Sequence, residues 1–272
     1  MGIFDKLSKK SSDNTEGSPI TQSIIKSIGC PHHIINSKYS NAQVNQAYQE
    51  ALARGKREGF TPVLVTSDET LEEWFGILQE EDSYSRAQLL EKNVNDGQKI
   101  LETRYQEYIV DYIEDYIDPA DSEEADYEKR EPDEFLGELA DGDTISELVS
   151  LNNLNSDGTQ EVILFEIPTV NPWEVIAWIP FGGWNECPPA EEMMAVCRYW
   201  YEKYKAIPAV ISHDELEFYL ETPIKEENTA WKLAKEHYAF CPDRIDQCTQ
   251  SGTAGELADT ILGSNVWYFW WD

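Results

Sequence analysis

The sequence predicts an α+β protein: a mixed, mostly antiparallel sheet with packed helices and a long acidic helical insertion. Two observations support this class. Short apolar runs bounded by Gly, Pro, Asn or Asp, typical of strands, are interspersed with segments whose apolar residues recur every three or four positions, typical of helices. Eight of the nine tryptophans lie at or after Trp173, so the main core is expected in the C-terminal half.

The N-terminal region divides into a tail and a folded unit. Residues 1–18 are polar and lack periodicity, which predicts a disordered tail. Residues 19–82 form the helix–strand–helix part of the core, in which PVLV at 62–65 is too short for a helix and predicts a buried strand. The helix after it is capped by Ser67 or Asp68. Its expected buried stripe is Leu71, Trp74, Phe75 and Leu78.

Residues 83–149 are expected to be an acidic helical insertion and linker. They carry 20 acidic and 6 basic side chains. A tyrosine-rich apolar stripe predicts one long helix over 83–117, or two helices with a break near Asp96-Gly97. The charged run 118–130 has the composition of a linker.

Residues 150–272 are expected to form an aromatic-rich C-terminal domain. The stretch at its centre is NPWEVIAWIPFGGWNECP, residues 171–188, which we interpret as a strand that runs into a shaped loop. That strand would pair with 161–168 as an antiparallel hairpin. The aromatic end VWYFWWD is expected to be buried as a last strand, because exposed it would be an aggregation hazard. The strands of the predicted sheet are 62–66, 161–168, 172–180, 208–212, 215–221 and 266–271.

Composition restricts the classes of function. The net charge of −31 disfavours binding to nucleic acid or an anionic membrane and favours encounter with basic partners. No apolar run approaches the roughly 20 residues of a membrane span, and the N-terminus matches neither a signal peptide nor a myristoylation pattern. The chain has five cysteines, and this odd number is more typical of reduced thiols than of a disulfide framework. These features lead us to expect a cytoplasmic protein.

Several stretches resemble the domain-of-unknown-function family 4253 of bacteria. The resemblance rests on NPWEVIAWIPFGGWNECP, AVISHDELEF, HYAFCPDRIDQ and VWYFWWD. It covers about residues 162–272, with a weaker match at 41–66. It implies no established activity. Members are thought to occur near toxin and immunity genes, so the resemblance suggests an immunity-like role by association.

Three loops carry the candidate ligand-binding residues. Gly182-Gly183 permits positive φ or a close backbone approach, so the loop 182–187 can face a ligand; alternatively it is a structural loop held by its tryptophan. A histidine at a strand end beside carboxylates can act as a general base, or it can be a turn residue. The loop 241–246 adds further carboxylates. The candidates are Trp184, Asn185, Glu186, His213, Asp214, Asp243 and Asp246.

The acidic insertion supplies candidate partner-binding residues. The run 111–134 can clamp a basic protein, or it can be a solvated face and linker. Its candidates are Asp111, Glu114, Asp115, Asp118, Glu123 and Glu124. No cofactor is expected, and no metal, because the Cys and His spacings match no zinc pattern and the acidic run lacks the turn glycine of a calcium loop.

Three functional hypotheses follow. The first is an acidic cytosolic binding protein, possibly an immunity or antitoxin-like factor, that engages a basic protein partner without catalysis. The alternative is an enzyme or small-ligand binder whose pocket is formed by the 182–187, 213–214 and 241–246 loops. A third is an assembly protein that uses the tyrosine-striped helix as its interface. No sequence feature indicates the oligomeric state.

Overall fold

The computed structural model describes residues 17–35, 39–80, 85–91, 96–114, 132–153, 161–179 and 181–272. Its strands are β1 (His32–Ile35), β2 (Thr61–Ser67), β3 (Glu161–Ile167), β4 (Ile207–Ile211), β5 (Glu215–Tyr219) and β6 (Val266–Trp270). Its helices are α1 (Pro19–Ile28), α2 (Asn41–Glu58), α3 (Glu69–Glu80), α4 (Arg86–Glu91), α5 (Gly97–Glu114), α6 (Pro132–Leu136), α7 (Val175–Trp178), α8 (Ala190–Tyr204), α9 (Glu227–Phe240), α10 (Asp243–Asp246) and α11 (Ala254–Ile261).

All six strands form one sheet in the order β1-β3-β2-β4-β5-β6. Only β2 and β4 pair in parallel, and every other neighbouring pair is antiparallel. The predicted α+β class with a mixed, mostly antiparallel sheet is therefore confirmed. Strands from the N-terminal 19–82 region and from the 150–272 region share this sheet.

The sheet has a hydrophobic core on each face. β2 lies near its centre and is buried along its whole length, as expected of a strand covered on both sides. Val63 and Val65 face the larger core, which includes α1, α3, α5 and α7–α11, whereas Leu64 faces a smaller core under α2 and the 3₁₀ turn Ser150–Asn153.

The predicted strand at 172–180 is wrong. Residues Pro172–Glu174 form a 3₁₀ turn that continues into α7, so no hairpin forms with β3. The cause is a helix start that the apolar run conceals: Asn171 precedes a proline at the first helical position, and its amide donates to Glu174 Oε1 at 2.9 Å. β3 pairs instead with β1 and β2.

The N-terminal unit is tied to the sheet by its helix caps. Ser18, the last residue of the expected tail, caps α1 and donates its backbone N–H to Glu161 at 2.8 Å. Asp68 caps α3 by accepting from the N–H of Leu71 at 2.8 Å. Leu71 and Phe75 of the predicted stripe are buried, whereas Trp74 is only partly buried.

The acidic insertion begins with helices that join the core. α4 and α5 are separate, consistent with the predicted alternative of two helices. α5 packs on α8 and α9, and its Leu101 is 1 % exposed. Residues 1–16 of the expected tail lie outside the described residues. So do the candidates Asp115, Asp118, Glu123 and Glu124, and the side chains of Asp111 and Glu114.

Candidate functional site

The candidate site lies at the sheet edge where β2 and β4 end. These strands are parallel neighbours, so their carboxyl ends share one edge, and the residues that follow them, Asp68 and His213, come together there. β6 is antiparallel to β5 and pairs Trp270 with Glu215, which brings residues 270–272 to the same edge. Three segments distant in the sequence therefore meet.

A cleft of about 460 Å³ opens at this edge. One wall is the exposed face of α3, formed at helical spacing by Thr70, Glu73, Trp74 and Ile77. The remaining walls are the loop 181–185, the turn 213–214 and the segment 270–272. This volume lies within the range of small-molecule sites.

The apolar wall of the cleft is a continuous series of aromatic rings. The Trp74 and Trp184 centroids are 5.9 Å apart, and the Trp184 and Phe181 centroids are 5.0 Å apart. Phe181 in turn lies 5.5 Å from Trp271. Each of these pairs has an edge-to-face geometry, which is favourable for aromatic quadrupoles. The rings therefore hold one another in place.

The loop that carries Trp184 depends on its glycines. Gly182 and Gly183 both have positive φ, as the double glycine predicted. A Cβ on Gly182 would lie 2.1 Å from the carbonyl oxygen of Pro188, so a larger residue cannot occupy that position. The Asn185 amide donates to the backbone oxygen of Asp272, which joins this loop to the terminal segment.

His213 lies between two carboxylates. Its Nδ1 is 3.3 Å from Asp68 Oδ2, and its Nε2 is 3.5 Å from Asp214 Oδ2. The His213 side chain is 41 % exposed, so the ring remains accessible from the cleft. The contact with Asp68, together with the charges of Asp214 and Glu215, raises the pKa of His213 although partial burial opposes this.

Asp214 is already engaged by its neighbours. Its Oδ1 accepts from the Ser212 hydroxyl at 2.9 Å, and its Oδ2 accepts from the Trp270 indole N–H at 2.8 Å. Its backbone oxygen accepts from the N–H of Trp271 at 3.1 Å. Asp214 therefore fixes the turn and the terminal segment to each other and has little capacity left for a ligand.

We predict that the Asp68→Asn variant lowers the pKa of His213, because the neutral amide removes the negative partner of Nδ1. The raised pKa also affects stability, with a sign that follows from linkage. A histidine pKa that is raised in the folded state adds stability below the unfolded value of about 6.5, and this stability is lost as the pH rises through the folded pKa. Histidine NMR titration measures the shift. The matched control is Asp96→Asn, because Asp96 also accepts from a helix N-terminus, in α5, but has no contact with His213.

Four of the candidates from the sequence line the cleft: Trp184, Asn185, His213 and Asp214. The other three do not. Glu186 is exposed, and its backbone oxygen accepts from the Arg104 guanidinium. Asp243 and Asp246 belong to α10, and Asp243 accepts from the N–H of Asp272 at 3.2 Å without lining the cleft.

Sequence reasoning missed the α3 wall and the terminal segment. Trp74 was assigned to a buried stripe, but a second face of the same helix carries Glu73, Trp74 and Ile77. In the structure Trp267, Phe269 and Trp271 are buried whereas Trp270 is partly exposed, an alternation that the uniformly aromatic run VWYFWWD does not reveal. The parallel pairing of β2 with β4, which assembles the site, has no local sequence signal.

The described ranges contain neither a metal-ion cluster nor a membrane-spanning helix. No three His, Cys, Asp or Glu side chains there are grouped so as to hold a metal ion. Among the described residues, no helix combines the length and apolar character needed to cross a membrane.

Comparison with known proteins gives a family match for the C-terminal part of the chain. Residues 163–272 match the family model described as "Domain of unknown function (DUF4253)". No curated protein and no solved structure matches the chain. The matched range contains three of the four segments that line the cleft, and the fourth, α3, precedes it. The C-terminal part of this chain, residues 163–272, is therefore similar to the DUF4253 family.

Proposed function

We propose that this protein is a non-catalytic binding protein that engages a basic protein partner and receives a basic side chain of that partner in the aromatic cleft. The composition of the cleft carries the proposal. Tryptophan rings attract cations through their negative faces, and the cleft has the carboxylates of Glu73, Asp214 and Asp272 against the single imidazole of His213.

The charge of the whole chain supports this proposal. A net charge of −31 attracts basic proteins over several ångströms and accelerates their encounter, with an effect that falls as salt increases. The acidic residues of 111–134 would contribute to this long-range attraction, whereas the cleft would provide the specific contact. A finer proposal is that the partner is a basic toxin and the protein is its immunity or antitoxin-like factor; this rests on the family association alone.

The test is affinity capture from a cell lysate at low salt, followed by quantitative mass spectrometry. We expect the wild-type protein to retain a basic protein. The cleft variant Glu73→Gln with Asp272→Gln should retain about tenfold less, because two close charge contacts of about 0.7 kcal/mol each sum to about 1.4 kcal/mol. A matched variant, Glu91→Gln with Glu147→Gln, removes two exposed acids that do not line the cleft and should behave as wild type.

A variant in which the acidic residues of 111–134 are replaced by neutral ones distinguishes long-range attraction from the specific contact in the cleft. It should bind more slowly and show a weaker salt dependence, while the cleft variant should dissociate faster. The absence of any captured basic protein would contradict the proposed function. Equal capture by the cleft variant and the matched variant would place the interface elsewhere.

A second candidate function is an enzyme or small-ligand binder, and the position of His213 favours it. The ring is accessible, is held by Asp68 and Asp214, and opens to a cleft large enough for a metabolite. Such an arrangement suits a general acid. Thermal-shift measurements with anionic and cationic metabolites distinguish this candidate: a compound that stabilises the wild type but not His213→Gln would support it.

A further inference from the structure

The cleft has features that distinguish between basic side chains. The partly buried indoles of Trp74, Trp184 and Trp270 line its walls. A guanidinium is planar, weakly hydrated and able to stack on an aromatic face, whereas an ammonium is a compact and strongly hydrated charge. Removal from water into an indole-lined cleft therefore costs less for arginine than for lysine.

The chain itself shows how closely each cation approaches a ring. The guanidinium carbon of Arg86 lies 3.9 Å from the ring centroid of Trp178. Among the described residues, the other guanidinium carbons that lie over rings are 4.8 to 5.7 Å from the centroids. The lysine Nζ atoms are 5.1 to 5.9 Å away, and all of them lie over tyrosine rings. Close stacking on an indole is thus a contact that arginine already makes in this protein.

The carboxylates of the cleft also favour a planar donor. Glu73 on α3 and Asp272 on the terminal segment line different walls, and neither side chain forms a hydrogen bond or ion pair with the described residues. Asp214 is occupied by Ser212 and Trp270. Five N–H donors arranged in a plane can donate to more than one carboxylate while the guanidinium face rests on an indole.

An apolar side chain extends the same wall. Ile77 is 44 % exposed and follows Trp74 by one turn of α3. The apolar stem of a long basic residue, or an apolar neighbour of that residue, would cover it.

We propose that the cleft recognises an arginine side chain of the partner, stacked on its indoles and hydrogen-bonded to Glu73 and Asp272, with an adjacent apolar group on Ile77. This rests on the proposed function and specifies the chemistry of the partner. It distinguishes a specific site from the general attraction of an acidic chain for any polycation.

The test compares labelled hexa-arginine with labelled hexalysine, which carry equal charge, by fluorescence anisotropy at about 0.15 M salt. We expect hexa-arginine to bind the full chain about tenfold more tightly than hexalysine. Glu73→Gln with Asp272→Gln should remove this preference, and Glu91→Gln with Glu147→Gln should preserve it. Circular dichroism of each variant confirms that its fold is retained.

Equal binding of the two peptides would overturn the arginine inference and leave the proposed function standing. Preferential binding of hexa-arginine that survives in the cleft variant would also overturn it, because the preference would arise elsewhere on the surface. Failure of both peptides to bind would contradict the proposed function itself.

Discussion

Replacing Trp200 by alanine is expected to lower the free energy of unfolding by about 4 kcal/mol. Trp200 is fully buried on α8, at the centre of the larger core. Its ring lies 5.4 Å from Phe218, 4.9 Å from Phe240 and 5.6 Å from Phe269. Rings from β5, β6 and α9 all contact this side chain. Its removal therefore leaves a cavity that the shift of one strand or helix cannot fill.

A second loss adds to the cavity. The Trp200 indole N–H donates to Glu236 Oε2 at 2.9 Å, and Glu236 is 7 % exposed. The alanine variant removes this donor from a buried carboxylate, which retains Tyr199 at 2.8 Å and Lys232 at 3.3 Å as partners. Urea unfolding measures the total effect, and Trp173→Ala is the control because Trp173 is only partly buried. Equal losses for the two variants would contradict a core centred on Trp200.

Replacing Glu217 by glutamine is expected to remove a stability change of about 3 kcal/mol between pH 4.5 and 7. Glu217 is fully buried on β5, and burial raises its pKa to about 7 although Ser150 and the N–H of Val149 donate hydrogen bonds to it. The folded state therefore binds its proton more tightly than the unfolded chain does. Stability contributed by this group is present at low pH and is lost as the pH rises toward 7.

The measurement is the difference in unfolding free energy between the wild type and Glu217→Gln as a function of pH. The difference isolates the contribution of Glu217 from that of groups whose effect on stability has the opposite pH dependence. His237 is such a group, because burial lowers its pKa. Glu256→Gln is the matched control. Glu256 also accepts from two backbone N–H groups. A side-chain hydrogen bond from Ser251 together with these two outweighs its burial and lowers its pKa, so its contribution is lost as the pH falls. If the stability difference from the wild type changed with pH in the same direction for both variants, the raised pKa assigned to Glu217 would be contradicted.

Glu217 also shows what a local pattern can predict. The sequence LEFYL indicates a strand with Leu216, Phe218 and Leu220 on one face, and all three are buried. The same alternation assigns Glu217 to the opposite face, where a charged residue suggests solvent. In the structure that face is covered by the turn Ser150–Asn153, and the backbone N–H groups of Ser150 and of the preceding Val149 donate to the carboxylate. The two residues in this contact, Ser150 and Glu217, are 67 positions apart, so the sequence of the strand itself gives no sign of it.

The same reasoning applies to the central stretch 171–188. Its apolar run WEVIAW satisfies the length and composition of a strand, yet Pro172 occupies a first helical position, and the segment folds as a 3₁₀ turn followed by α7. The glycines 182–183 were interpreted correctly because positive φ is a local property. The importance of Trp184 depends on α3 and residues 270–272, which meet it only through the order of the strands.

The most direct test of the proposal that the cleft binds a basic side chain uses the tryptophans as reporters. Titration of the ¹⁵N-labelled protein with hexa-arginine should shift the indole N–H resonances of Trp74, Trp184 and Trp270, which line the cleft. Those of Trp173, Trp200 and Trp231, which do not line it, should remain in place. Shifts confined to these latter residues, or no shift at a concentration that saturates binding, would contradict a binding site at this edge of the sheet.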